Sequence, residues 1–197
     1  MNPTLIKCAE NNPFRVSKFE SLKWQNDNGS IDQIFETWQN YNFRGQIIGN
    51  HGAGKSTASK KLQKKAEQNG FECIYLFANE ESRKSDFKLW ENTIKESNKD
   101  SLVILDGFGH ASLLKRRKLL KLHSHLLIIA HNKINKLPLI SHLAPNHLLL
   151  KKLVNDLAGE EGKVALEKSG GSEFLLEKHN ANLRDCFFEL YKTWQKL

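Results

Sequence analysis

Nine consecutive residues, Gly49-Asn50-His51-Gly52-Ala53-Gly54-Lys55-Ser56-Thr57, concentrate the chemistry of this 197-residue chain. They satisfy the pattern G-x-x-x-x-G-K-[ST], and each residue type has a task in binding phosphate. Gly49, Gly52 and Gly54 allow the backbone to wrap closely round an anion, where a side chain would obstruct the approach. Amides of the loop and of the first helical turn then point at the charge. Lys55 is expected to neutralise a β/γ-phosphate bridge, the Ser56 hydroxyl to reach Mg²⁺, and Thr57 to sit near the α-phosphate. The expected ligands are therefore ATP and Mg²⁺, with residues 49–57 lining the phosphates. Asp106 closes the apolar run Leu102-Val103-Ile104-Leu105. A carboxylate at such a strand tip can accept from metal-bound water or from Ser56, which makes Ser56 and Asp106 the candidate metal pair.

A loop of this kind needs a strand to deliver it and a helix to leave it. Gly45-Gln46-Ile47-Ile48 supplies the strand, and Ala58, Leu62 and Ala66 mark one face of a helix that stops at Gly70. A second strand is expected near 71–77, with no water-facing side. A helix carrying Phe87, Trp90 and Ile94 comes next, then the strand ending at Asp106, a helix near 111–122 and a strand at 125–130. A fifth strand is expected around His147–Leu150, a stretch that could equally begin as helix. Strands separated by helices predict a three-layer α/β fold with a mainly parallel sheet. Upstream, Ser30 and Gln33 form a capping box before Ile31, Ile34, Phe35 and Trp38. Residues 1–29 read as an arm lying on the core, 30–157 as the nucleotide-binding core, and 158–197 as a linker and C-terminal helical element. Within that last part, 158–172 is expected to be a loop and Ser172 a helix cap. Asn182 and Asp185 cap a second helix, with Leu183, Phe187, Leu190, Tyr191 and Trp194 on one face.

With these residues in place, the chain resembles the additional-glutamate ATPases, the group that includes the AAA+, STAND and ABC families. The resemblance implies a sheet of order 5-1-4-3-2 and a polar sensor at the tip of the strand 125–130, a role for His131 or Asn132. Ala181-Asn182-Leu183-Arg184 resembles the start of a lid helix, in which Arg184 would be the second sensor; the short C-terminal stretch beyond it accommodates only a minimal lid. More narrowly, Phe43-Arg44-Gly45 before the loop and Asn182, Arg184 and Glu189-Leu190-Tyr191 near the C-terminus resemble a family of small bacterial P-loop ATP-binding proteins. The chain departs from the wider pattern in two places. Gly107 stands where the catalytic glutamate is expected, with His110, Glu80 and Glu81 as candidate substitutes, and Ala181 replaces the lid glycine.

Composition bounds the remainder. Thirty Lys and Arg against 22 Asp and Glu give a net charge of +8, which permits an anionic partner without requiring one. Part of the excess lies at Lys115, Arg116, Arg117, Lys118 and Lys121. These form either a phosphate-contacting stripe for nucleic acid or the solvated side of a helix whose apolar positions are Leu113, Leu114 and Leu120. His123 and His125 alternate before a strand with no third ligand close in sequence, so they read as polar strand-end groups. Three distant cysteines suggest neither a disulfide framework nor a zinc site. No apolar run is long enough to insert in a membrane, and a reduced, cytoplasmic setting is expected. Three activities stay open: a slow Mg²⁺-dependent ATPase whose site a protein partner completes, a small-molecule or nucleotide kinase, and a nucleotide-dependent binding module. Asn132-Lys133-Ile134-Asn135 is only a partial echo of a guanine-recognition motif, which disfavours GTP.

Overall fold

A computed structural model describes residues 8–22, 24, 29–134 and 136–197. Residues 1–7, 23 and 25–28 of the expected N-terminal arm, and Asn135 of the guanine-motif echo, lie outside the described residues. The chain divides into two compact units. A sheet unit comprises the described residues of 28–49 with Gly54–Leu143, and a helical unit those of 1–27 with Asn50–Ala53 and Ala144–Leu197.

In the sheet unit, α2 (Ile31–Asn40) precedes β1 (Arg44–Gly49), α3 (Lys55–Gln68), β2 (Cys73–Phe77) and α4 (Lys84–Glu96). Then come β3 (Leu102–Asp106), a 3-10 turn at Phe108–His110, α5 (Leu113–Leu119), β4 (Leu126–Ala130) and β5 (Leu139–Leu143). All five strands are parallel, in the order β2-β3-β4-β1-β5. Side chains alternate across a strand, so Val103, Leu105, Leu126 and Ile128 meet Phe87, Trp90 and Ile94 of α4 and Leu119 of α5. Register puts Ile47, Ile104, Ile129 and Asp106 on the opposite face, where α2 and α3 pack. The result is a three-layer, parallel α/β unit whose central strands are buried on both sides. Ser30 caps α2 with the expected box: its hydroxyl accepts from Gln33 N at 3.2 Å and Gln33 Oε1 from Ser30 N at 2.8 Å.

Three expectations for this unit are corrected. The fifth strand is Leu139–Leu143, not His147–Leu150: Asn146 accepts from Leu149 N at 2.9 Å and starts a helix there. The mixed sequence Leu-Ile-Ser-His-Leu hid β5, an edge strand that buries Ile140, Ser141 and Leu143 and leaves Leu139 and His142 exposed. β2 is not dry on both sides either; it is the opposite edge of the sheet, with Ile74, Tyr75 and Leu76 half-buried and Phe77 exposed. Finally, α5 turns Leu113 and Leu114 outward, 72% and 78% exposed, and buries Leu119.

The helical unit holds α1 (Val16–Ser21), α6 (His147–Lys168), α7 (Gly171–Lys178) and α8 (Leu183–Trp194). The 158–172 stretch is helix for most of its length and not a loop. Gly159 leaves helical geometry (φ 51°, ψ −129°) and breaks α6 without ending it. Ser172 does not cap α7; that position belongs to Gly170, in the left-handed region, and Ser172 is buried within the first turn. Asn182 does cap α8, its side chain accepting from the Arg184 and Asp185 amides. Leu183, Phe187, Leu190 and Trp194 then bury one face among Leu150, Leu153, Val154, Leu166 and Leu175. Each fully buried side chain of this size contributes about 1.5–3 kcal/mol. The described part of the arm joins this core. Phe14 stacks on Phe187 at 6.4 Å, and buried Asn12 donates to Tyr191 O at 3.0 Å. Among the described residues no helix is long and apolar enough to cross a membrane.

Candidate functional site

The residues leading into the glycine-rich loop are structural. Arg44 donates to the carbonyls of Leu120, His123 and Ser124 at 2.7–3.1 Å, tying β1 to the turn before β4. Gln46 is fully buried, and its amide is satisfied at both ends: Nε2 donates to Ile134 O and Leu137 O at 2.8 Å, and Oε1 accepts from Ile134 N at 2.7 Å. That pairing holds the segment after β4, and hence the tip bearing His131, against β1.

β1 ends at Gly49 and α3 begins at Lys55. Gly52 and Gly54 take left-handed φ values of 68° and 86°, a region that costs most side chains dearly. Lys55 is buried. Its ammonium donates to Gly49 O at 2.8 Å and lies 3.4 Å from His131 Nδ1. Burial lowers its pKa, and the negative charge of Asp106 opposes that shift. The hydroxyl-bearing residues Ser56 and Thr57 are exposed in the first turn of α3. Of the two candidates at the β4 tip, the structure brings His131 to Lys55 and leaves Asn132 exposed.

Asp106, 4% exposed, lies at the tip of β3 on the face that α3 covers. Its Oδ2 accepts from Tyr75 Oη at 2.6 Å, and Tyr75 Oη lies 3.0 Å from Ser59 Oγ, which also reaches Ser56 O at 3.1 Å. Burial and the bond to Asp106 raise the Tyr75 pKa, so the phenol stays protonated and is the donor. This chain of hydroxyls links the carboxylate to the helix that carries Ser56. Sequence reading missed Tyr75 and Ser59. Their signal was a tyrosine in an edge strand and a serine one turn after Ser56, both ordinary until register places them under Asp106. Gly107 has φ 79°, and a Cβ there would collide with Ala78 O. Position 107 therefore has no room for the side chain of a catalytic glutamate. His110, Glu80 and Glu81, the candidate substitutes, are all exposed.

The loop apex, Asn50–Ala53, groups with the helical unit. There the Asn182 side chain covers Gly52 so closely that any Cβ would overlap its Oδ1. Asn180 and Ala181, just before this cap, both adopt left-handed φ values of 51° and 58°, a costly conformation for alanine. Arg184 is exposed and pairs with Glu20 of α1 at 3.3 Å, so the charge at the start of α8 finds a counter-ion within the chain.

The basic run on α5 is more than a solvated face. Lys115 and Lys118, with Lys95 of α4, converge on the Glu91 carboxylate at 3.0, 2.5 and 2.9 Å. The three ammonium groups pull that carboxyl down to about 2. Arg116 donates to the carbonyls of Ala111 and Gly109. His123 is buried, with Nε2 3.0 Å from Asn98 O and Nδ1 accepting from His125 N at 3.2 Å; it acts as a backbone clasp. No family model matches the chain, and no curated protein sequence matches it.

Proposed function

We propose that this protein binds ATP with Mg²⁺ through residues 49–57 and hydrolyses it slowly, as a P-loop NTPase of the additional-glutamate type with a minimal C-terminal lid. The observation that carries the reading is Lys55. It is a buried ammonium resting on the Gly49 carbonyl at the first residue of α3, after two left-handed glycines in the chain. A cation at a helix N-terminus opposes the helix dipole, and an anion received there by both the ammonium and the first amides relieves that conflict. The sheet order supports the same reading. Taken from the β5 edge it runs β5-β1-β4-β3-β2, with β4 between the loop strand and the strand of Asp106, as the resemblance implies.

In this reading Lys55 stabilises charge on the terminal phosphates and the amides of 50–57 cradle them. Ser56 and Asp106 hold the metal, whose contribution is to neutralise phosphate charge. His131, rather than Asn132, senses the terminal phosphate. Water is the acceptor. Lys55→Ala is expected to abolish tight Mg-ATP binding while leaving the thermal melt intact. Wild-type affinity of that variant in calorimetry would refute the assignment. Phosphate release measured with ATP and GTP, with and without nucleic acid, separates slow hydrolysis from partner-stimulated hydrolysis.

Gly107 favours a second reading, in which the protein is a nucleotide-dependent binding module. With no room for a side chain at position 107, hydrolysis lacks its usual base, and occupancy rather than turnover would be the signal. Tight Mg-ATP binding with no phosphate release under any condition selects this second reading.

A further inference from the structure

The loop apex Asn50–Ala53 and the start of α8 meet within the helical unit. Ala53 N donates to Asn50 O at 3.3 Å and closes the apex as a turn, with Ala53 buried and Gly52 as its left-handed third residue. Glycine has the widest conformational freedom of any residue, so such a turn keeps one shape only where something outside it limits the choice. The Asn182 side chain stands against that glycine. Its Oδ1 would lie 1.6 Å from a Cβ on Gly52 and its Cγ 2.4 Å, so the amide fills the volume that a side chain at position 52 would take.

Two independent features fix Asn182 there. Its rotamer is held by three bonds: Oδ1 accepts from the Arg184 and Asp185 amides at 3.1 and 3.4 Å, and Nδ2 donates to Asp185 Oδ2 at 2.6 Å. The backbone leading to it is strained, with Asn180 and Ala181 both in the left-handed region at φ 51° and 58°. Asparagine tolerates that region, but for alanine it is costly, and such a residue persists only where its surroundings over-determine it. Here Ala181 N donates to Leu176 O at 2.7 Å and Asn182 N to His179 O at 3.0 Å. Glu189 of α8 also pairs with Lys178 and His179 at the end of α7, at 2.8 and 2.7 Å. Helix capping alone requires neither the strain nor the contact with Gly52, because a serine after an unstrained turn would cap α8 as well.

We propose that Asn182 is a positioning residue of the phosphate loop: clamped by the strained turn before α8, it holds Gly52 and thereby presets the path of the apex amides. This role rests on the ATP-binding reading of residues 49–57. A loop already in shape receives an anion without first being ordered, whereas ordering that accompanies binding is subtracted from affinity. By linkage, an anion seated on the loop steadies the start of α8 in return, so the helical unit registers occupancy of the loop.

Asn182→Ser separates positioning from capping. Serine caps a helix as well as asparagine does, but its side chain is one bond shorter and withdraws from Gly52. The thermal melt of the nucleotide-free variant should therefore stay close to that of the wild type. In ¹⁵N relaxation of the full-length, nucleotide-free protein, the Gly52 amide is expected to have an order parameter of about 0.85 in the wild type and to fall toward about 0.6 in Asn182→Ser. Calorimetry is expected to show Mg-ATP binding weakened about three- to tenfold in the variant. Asn182→Thr, a second short capping residue, should repeat both effects. A Gly52 amide as rigid in both variants as in the wild type overturns the proposal, and so does wild-type Mg-ATP affinity in a variant whose apex has loosened; either result leaves Asn182 a helix cap only. Failure of the wild type itself to bind Mg-ATP would overturn the ATP-binding reading and the positioning role with it, whereas normal wild-type binding beside unaffected variants removes the positioning role alone.

Discussion

Asp106 and Glu91 are both buried carboxylates of the sheet unit, 4% and 6% exposed, and the protein treats them in opposite ways. Glu91 lies at the seam between α4 and α5 and collects three lysines. Asp106 lies at a strand tip and takes one neutral phenol hydroxyl, while nearby Lys55 donates to a backbone carbonyl. A carboxylate saturated by ammonium groups has no capacity left for a ligand, and it serves to fasten two helices. A carboxylate held through one oxygen by a neutral donor keeps the other oxygen in reserve. The lysines differ in the same way: those at Glu91 are spent on the fold, whereas Lys55 stands at a helix N-terminus, where an anion is favoured. Whether charge is set into a helix seam or beside a helix N-terminus is what separates the scaffold from the candidate site.

The largest effect should come from the scaffold under the site. Gln46→Ala opens a cavity and strips partners from Ile134 and Leu137, and it should cost about 3 kcal/mol or more. Urea denaturation measures this; a loss below about 1 kcal/mol would mean that the freed backbone groups re-pair with water. Tyr75→Phe tests the neutral hold on Asp106. A hydrogen bond to a charged group contributes about 1.5–3 kcal/mol, so the variant should be less stable by up to that amount. Calorimetry should also show ATP binding that requires more Mg²⁺, with metal-free ATP binding unchanged. An unaltered Mg²⁺ titration in Tyr75→Phe, alongside a shifted one in Asp106→Asn, would strip Tyr75 of any positioning role.

Glu91 should give a smaller effect, gated by pH. Its carboxyl titrates at about 2 in the folded protein against an ordinary value of 4.5. Its stabilisation is therefore fully present above the ordinary value and is lost as pH falls through that window toward 2. Thermal melts of the wild type and Glu91→Gln between neutral pH and pH 2 should converge at the acid end. Curves that stay parallel would show that the lysine cluster does not fasten α4 to α5. The smallest effect is expected at Arg184, whose pair with Glu20 is exposed on both sides. Arg184→Ala should change stability by about 0–1 kcal/mol, less in high salt. A loss of ATP-over-ADP discrimination in the same variant would assign it a sensor role that its resting contact does not display.

Short-range patterns carried much of this protein. Spacing within 49–57, the apolar run before Asp106, the Ser30–Gln33 box and the face from Leu183 to Trp194 are local features, and each is legible because the atoms concerned lie within a turn or two of one another. The three-layer parallel arrangement came from the alternation of such segments. The Gly-, Lys- and Glu-rich stretch 158–172 misled: it reads as a loop, but Gly159 breaks α6 without ending it and Gly162 lets its two halves touch. The polar edge strand β5 escaped notice because its burial depends on β1, a neighbour far away in sequence. Tyr75 and Ser59 under Asp106, His131 rather than Asn132 beside Lys55 and three lysines on Glu91 were decided by tertiary structure alone. Each is a matter of side chains from different elements, set by strand register and helix packing. Residue types and local spacing determine which groups can do chemistry; which of them meet depends on distances that only the folded chain establishes.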